Sequence, residues 1–132
     1  MIPKLIKGGN FIDTRGTLLF NNNFDASLVK RMYTISNHDL EFVRGWQGHK
    51  VEKRWFLSMV GEFTILVKKI KMVDAQDEIQ KFTLSSDTLD VLYVPNGYYT
   101  AIQSVKKDSK LMVMSDYHLY EIDDDVREPF LK

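Results

Sequence analysis

An all-β fold is the class this sequence predicts, and three observations predict it. Short segments rich in Val, Ile, Thr, Tyr, Phe or Leu recur along the 132 residues, as strands require. Turn-forming residues fall between them, at a spacing of about 8–12 residues that suits an antiparallel sandwich or barrel. No segment sustains a helical period, apart from the acidic stretch 120–128.

The expected strands run in order over residues 17–20, 29–36, 54–60, 63–70, 89–94, 100–105 and 110–117. Gly8-Gly9, Arg15-Gly16 and Asn21-Asn22-Asn23 punctuate the first part of the chain. Asn37-His38-Asp39, Gly45, Gly48 and Gly61 punctuate the middle. In 63–67, Phe63, Ile65 and Val67 alternate with Thr64 and Leu66, giving a partly two-faced strand. Pro95-Asn96-Gly97 follows an apolar run and forms a turn, because Pro presets φ and Gly permits φ > 0. Residues 120–132 are expected to form a short C-terminal helix or tail. Lys68-Lys69-Ile70-Lys71 and Lys106-Lys107 read as solvated hairpin ends.

Composition narrows the function. The length reads as one domain over residues 1–132, large enough for a sizeable core. The absence of Cys removes disulfide scaffolds, thiolate zinc sites and Cys nucleophiles. Eighteen Lys+Arg balance eighteen Asp+Glu, which argues against a nucleic-acid coat, a task that needs a summed positive field. Lys4 and Lys7 break the apolar residues of the N-terminus, so no secretion-signal core is present. No apolar run approaches the roughly 20 residues of a spanning helix. The expectation is a cytoplasmic protein without a membrane partner.

Three fragments carry chemistry. They are Asp13-Thr14-Arg15-Gly16, then Val43-Arg44-Gly45-Trp46-Gln47-Gly48-His49-Lys50, then Val94-Pro95-Asn96-Gly97-Tyr98-Tyr99-Thr100. Lys30-Arg31-Met32-Tyr33 precedes the second, Gly61 follows it, and Ser115-Asp116-Tyr117 lies near the C-terminus. In order and spacing these fragments resemble the sugar-nucleotide cupins. The kinship is to the dTDP-4-keto-6-deoxyhexose 3,5-epimerases and, more closely, to the small 3,4-ketoisomerases of the WxcM-like family. The resemblance spans about residues 3 to 130.

The resemblance implies a jelly-roll (double-stranded β-helix) cupin barrel, usually a homodimer with swapped N-terminal strands. It implies a nucleotide-sugar partner, of the dTDP-linked kind, bound in the barrel mouth during surface-glycan biosynthesis. It implies proton movement beside a C4 ketone, either inverting stereocentres or shifting the ketone to C3, with no cofactor and no metal. Arginines hold the diphosphate and histidines do the proton work.

The chemistry needs a base poised near neutral pH and a donor for the enolate oxygen. Residues two apart on a strand face one side, and the family places a His pair there. This chain has Gln47 and His49 at those positions. Gln47 accepts no proton at a useful pH but donates a hydrogen bond. His49 is therefore the candidate base, or else a polar lining residue. Metal-binding cupins supply further ligands where this chain has Arg54 and Thr100, so a resident metal is not expected.

Arg15 and Arg44 are candidates for the diphosphate, since a guanidinium matches phosphate oxygens two at a time. Asp13 and Arg15 equally suit a surface turn with a local ion pair. An Arg-Gly pair is expected to let a ligand approach the backbone. Lys53 and Arg54 extend the positive stretch. Tyr98, Tyr99 and Tyr117 are phenol donors by type, with Tyr117 at the family's S-x-Y position and Tyr99 at its aromatic wall; each also suits a strand rim. Thr100 stands where the family has an imidazole. Trp46 is a stacking candidate and Trp55 a core residue. Asp123-Asp124-Asp125 caps a helix or is simply solvated, and lacks the spaced ligands of a calcium loop. His38 falls in a turn and His118 beyond Tyr117, leaving His49 alone within the barrel motif.

Two function classes follow. One is an enzyme, a metal-independent epimerase or ketoisomerase of a nucleotide-linked 4-keto-deoxysugar. The other is a non-catalytic cupin that binds a sugar or sugar nucleotide, having lost the His pair at Gln47 and the imidazole at Thr100. A partner domain that supports another glycan enzyme is a third.

Overall fold

Phe63, Ile65 and Val67 are completely buried along one strand, and their burial fixes which face of that strand meets the core. The computed structural model describes residues 2–70 and 78–131. Its strands are β1 (Lys4–Ile6), β2 (Gly9–Asp13), β3 (Gly16–Phe20), β4 (Arg31–Ile35), β5 (Val43–His49) and β6 (Arg54–Val60). They continue as β7 (Glu62–Lys69), β8 (Gln80–Ser85), β9 (Val91–Val94), β10 (Tyr98–Ser104), β11 (Lys110–Ser115) and β12 (Asp125–Arg127). No helix occurs among the described residues, so none is long and apolar enough to cross a membrane.

Two five-stranded sheets carry the fold. One runs β1-β9-β6-β11-β4 and the other β12-β5-β10-β7-β8. Every pairing is antiparallel. Phe56, Leu92, Val94, Leu111 and Val113 of the first sheet meet Phe63, Ile65, Val67, Leu84 and Ile102 of the second in one cluster. Each fully buried aliphatic or aromatic side chain there contributes roughly 1.5–3 kcal/mol by leaving water. The pair β2-β3 forms a separate two-stranded hairpin. It leaves Phe11, Ile12 and Leu18 exposed.

The outer faces are also apolar. Trp55, Val91, Tyr93 and Met114 cluster on the first sheet, with Leu57 and Met112 beside them. Trp46, Tyr99 and Ala101 cluster on the second, covered by Val126 and Phe130 from the C-terminal tail.

Close approach sets several glycines, Gly61 and Gly45 among them. A Cβ on Gly61, which has φ +75°, would lie 2.0 Å from Ser109 Oγ in the β6–β7 turn. A Cβ on Gly45 would lie 2.6 Å from the Ala101 Cα. Gly45 thus lets β5 press against β10. This corrects the expectation that the Arg44-Gly45 pair opens the backbone to a ligand.

Of the two expectations for residues 120–132, a helix or a tail, the described residues form a tail that pairs as β12, because β5 offers an unpaired edge that takes Asp125–Arg127 in register with Gln47–His49. The expected solvated end at Lys68 is buried instead, its ammonium 2.9 Å from Glu128 Oε1. Lys71, assigned to the same hairpin end, lies outside the described residues.

Candidate functional site

One irregularity in β5 decides what faces the hollow at the barrel mouth. Thr100 pairs with Gln47 and Ile102 with Arg44, so β5 carries one extra residue between those pairs. Such a bulge turns Arg44 to the same side as Gln47, which strict alternation forbids for residues three apart. From β4, Arg31, Tyr33 and Ile35 join them. Arg127 of β12 closes the side, and the hollow measures about 490 Å³. That size falls within the range of small-molecule sites.

The hollow continues beside His49, Glu52, His118 and Asp124, with Arg31, Gln47 and Arg127 common to both parts. His49 Nδ1 stands 2.9 Å from Asp124 Oδ1 and 3.1 Å from Glu52 Oε2. Carboxylate oxygens carry no proton of their own when ionised, so this contact assigns the ring proton to Nδ1. In the neutral ring Nε2 then carries the lone pair. Asp124 Oδ2 accepts from the backbone N–H groups of Val51 and Glu52, each at 2.7 Å. Burial works to raise the Asp124 pKa, but the hydrogen bonds from His49, Glu52 and Val51 outweigh it and hold the carboxyl below its ordinary value. Donor atoms of His49, Glu52 and Asp124 lie within 4.8 Å of one another, the cluster among the described residues with metal-ligand chemistry. Arg31 NH2, 4.0 Å from Glu52 Oε1, already supplies positive charge there.

Arg54 lies beneath the hollow at 3% exposure. Its NH1 stands 3.5 Å from Thr100 Oγ1, and its Nε has no hydrogen-bond partner. No carboxylate lies at ion-pair distance from it among the described residues. Burial lowers its pKa, opposed by Tyr33, Glu52, Asp125 and Asp124. Tyr33 is likewise pushed up by burial, against the pull of Arg54 and Arg31, and stays a neutral phenol.

The structure brings Arg44, Gln47 and His49 to the hollow, with Arg54 and Thr100 below it. Trp46 and Tyr99 face the opposite side of the sheet, packed with Ala101. That placement corrects their reading as a stacking residue and an aromatic wall: the alternation that turns Gln47 inward turns Trp46 outward. Tyr98 packs on the barrel core instead. Tyr117 lies under the Lys30 ammonium, 5.7 Å from its ring centroid. Lys53 turns to Asp116, with Nζ 3.8 Å from Oδ2. Arg15 sits at the β2–β3 turn, its side chain 85% exposed and 2.7 Å from Asp13.

Sequence reasoning missed Glu52, Asp124 and Arg127, and set His118 outside the site. The only signal for Glu52 was its place three residues after His49. Asp124 carried none, since an Asp triplet reads as solvated until β12 is known to pair with β5.

The family model described as FdtA: WxcM-like, C-terminal matches residues 2–130. No curated protein matches the chain in sequence. Among solved structures, the chain is similar to a 3,4-ketoisomerase from Helicobacter canadensis, at 20% identity, TM-score 0.74, covering 97% of this chain and 92% of that one. It is similar to a variant of the 3,4-ketoisomerase QdtA from Thermoanaerobacterium thermosaccharolyticum in complex with TDP-4-keto-6-deoxyglucose, at 22% identity, TM-score 0.73 and 96% and 87% coverage. It is also similar to dTDP-4-dehydrorhamnose 3,5-epimerase from Bacillus anthracis with TDP and PPi bound, at 17% identity, TM-score 0.78 and 95% and 77% coverage. At these identities the likeness establishes the fold, a cupin jelly roll.

Proposed function

Because the chain belongs to the WxcM-like, C-terminal family, we propose that it is a ketoisomerase or epimerase of a nucleotide-linked 4-keto-6-deoxysugar. The observation that carries this reading is the His49–Asp124 pair at 2.9 Å, set in a hollow ringed by Arg31, Arg44 and Arg127. Asp124 keeps the proton on Nδ1 and holds the ring, as an orienting acid does in other His-based sites.

The steps balance without a cofactor. His49 Nε2 takes the proton from the carbon beside the ketone, and the electron pair moves onto the ketone oxygen as an enolate. Arg54 lowers the energy of that negative charge from below. Inversion takes a proton from a second donor on the other face, a water of the open hollow, while His49 passes its own proton to solvent. Return of the proton to the former carbonyl carbon, with the hydroxyl proton passing between the two oxygens, moves the ketone. Gln47, whose amide now donates to Asp125 Oδ1 at 3.1 Å, turns to a sugar oxygen. Arg44, stacked on Phe42 and with no carboxylate in contact among the described residues, takes the diphosphate together with Arg31.

Arg15 enters through a homodimer. The exposed Phe11, Ile12 and Leu18 of the β2-β3 hairpin suit exchange onto a second copy. The hairpin then carries Arg15 toward that copy's diphosphate. Lys53 and Tyr117 act at the rim. The setting is cytoplasmic assembly of a surface glycan.

The test is proton exchange. The chain is incubated in D2O with TDP-4-keto-6-deoxyglucose and with its UDP, GDP and CDP counterparts, and sugar C–H signals are followed by NMR. Deuterium enters one of them, and His49→Asn abolishes the entry. Absence of exchange from the whole panel sinks the enzyme reading. Gln47 and Thr100 at the family's His positions favour a second reading, a cupin that binds the sugar nucleotide without turning it over. That reading expects a thermal shift with TDP, reduced in Arg44→Ala, and no exchange.

A further inference from the structure

Two acids converge on one nitrogen. His49 Nδ1 faces Asp124 Oδ1 at 2.9 Å and Glu52 Oε2 at 3.1 Å. All three side chains are nearly closed off, at 12%, 10% and 7% exposure. Each carboxylate has its other oxygen tied down. Asp124 Oδ2 is held by the Val51 and Glu52 backbone N–H groups. Glu52 Oε1 is held by a short hydrogen bond from the Ser115 hydroxyl, with Arg31 NH2 at 4.0 Å. The remaining oxygen of each acid therefore points at the same ring nitrogen, which bears a single proton.

We propose that Glu52 is a positioning residue for His49, a second carboxylate that shares the imidazole proton with Asp124. The inference rests on the acid–base role given to His49 above. It adds that the role does not depend on one acid. When His49 takes a proton from carbon, the imidazolium faces two anions rather than one. That matters in a hollow whose other family imidazole positions are Gln47 and Thr100, so that one ring carries the proton transfer on its face of the sugar. Glu52 also couples the two acids physically. Its N–H fixes Asp124 while its side chain fixes His49.

The alternative is that Glu52 only ties the β5–β6 turn to Ser115 and Arg31. The experiment compares Glu52→Gln, Asp124→Asn and the double variant. One arm follows deuterium entry into TDP-4-keto-6-deoxyglucose. The other follows the downfield Nδ1–H resonance of His49 in protein carrying 15N-histidine. Sharing predicts that each single change slows exchange by about tenfold and the double by about a thousandfold, more than the product. The resonance shifts but persists in both single variants and disappears in the double.

If Asp124→Asn alone equals the double, while Glu52→Gln exchanges as wild type with an unmoved resonance, the proposal is overturned. If wild-type protein shows no exchange, the enzyme reading fails separately and the resonance alone decides. A shift in Glu52→Gln then supports the shared proton, and an unmoved signal refutes it. Glu52→Gln is nearly isosteric and keeps the Ser115 contact, so the decision stands even if the double variant does not fold.

Discussion

The rings of Trp46 and Phe130 lie 5.5 Å apart on the outer side of the sheet whose inner side carries Gln47 and His49. The contact fastens the C-terminal tail. Trp46 and Glu128 exchange both backbone hydrogen bonds, at 3.0 and 3.1 Å. Lys68 bonds Glu128 and lies 4.6 Å from the Trp46 ring centroid. On the inner side the same tail delivers Asp124 to His49.

Phe130→Ala should loosen β12, which has only three residues in register with β5. Because Phe130 is only half-buried, the expected loss is about 1–3 kcal/mol in denaturant unfolding. Limited proteolysis should cut faster between 118 and 124. Unchanged cutting would show that the backbone pairing at Glu128 holds the tail without the ring.

Arg54→Met should leave stability unchanged or raise it by about 1–4 kcal/mol, since an unpaired buried cation gives way to apolar packing of similar volume. Exchange of the sugar C–H should fall at the same time. The pair of effects marks a residue kept for its charge. A large loss of stability, read from the urea midpoint, would show that Glu52 and the tail acids hold Arg54 more tightly than their distance suggests.

The depressed pKa of Asp124 sets an acid limit. A carboxyl held below its unfolded value adds stability that is full above that value, near 3.8, and is lost as pH falls through the folded value. Wild-type protein should therefore lose its advantage over Asp124→Asn as pH drops below about 4. Urea midpoints of both proteins from pH 7 to pH 3 measure the gap. A gap that stayed constant to pH 3 would contradict the assignment.

Ile12→Lys combined with Leu18→Lys should convert a dimer to a monomer in light scattering. Both side chains are more than half exposed in the single chain. Stability of the barrel itself should change by less than about 0.5 kcal/mol. A wild-type protein already monomeric at working concentration would remove the dimer and, with it, the route of Arg15 to the diphosphate.

Strands with a buried apolar face were legible in the sequence. Residues 54–60 and 63–70 fall almost on β6 and β7, because Phe56, Phe63, Ile65 and Val67 announce a core side. β5 and β8 were harder. β5 holds two glycines and few strand formers, and owes its form to pairing with β10 and β12 on either side. β12 is too short for any period and exists because β5 has an open edge. β2 lacks a buried face, and β1 is only three residues long.

The site divides the same way. His49, Gln47 and Arg44 could be found because they lie in one contiguous fragment. Alternation alone would have set Arg44 opposite Gln47; the bulge sets them together. Trp46 and Tyr99 were misjudged because motif order says nothing about which face an aromatic takes. Asp124 is 75 residues from His49 in sequence, and only the closing of the tail on β5 joins them.

That closing has a consequence for the order in which the protein is made. Chains emerge from the ribosome N-terminus first. Once residue 115 is out, every strand that contributes to the central core cluster has emerged, and β12 at the edge of the second sheet has not. Asp124, one of the two acids that face His49, has not yet emerged. The barrel can therefore complete its core while His49 lacks Asp124, and the competent imidazole geometry is among the last features acquired. A released chain truncated before residue 124 would keep the strands of the core but leave His49 with Glu52 alone, so the pairing of the imidazole is completed only when the tail closes on β5.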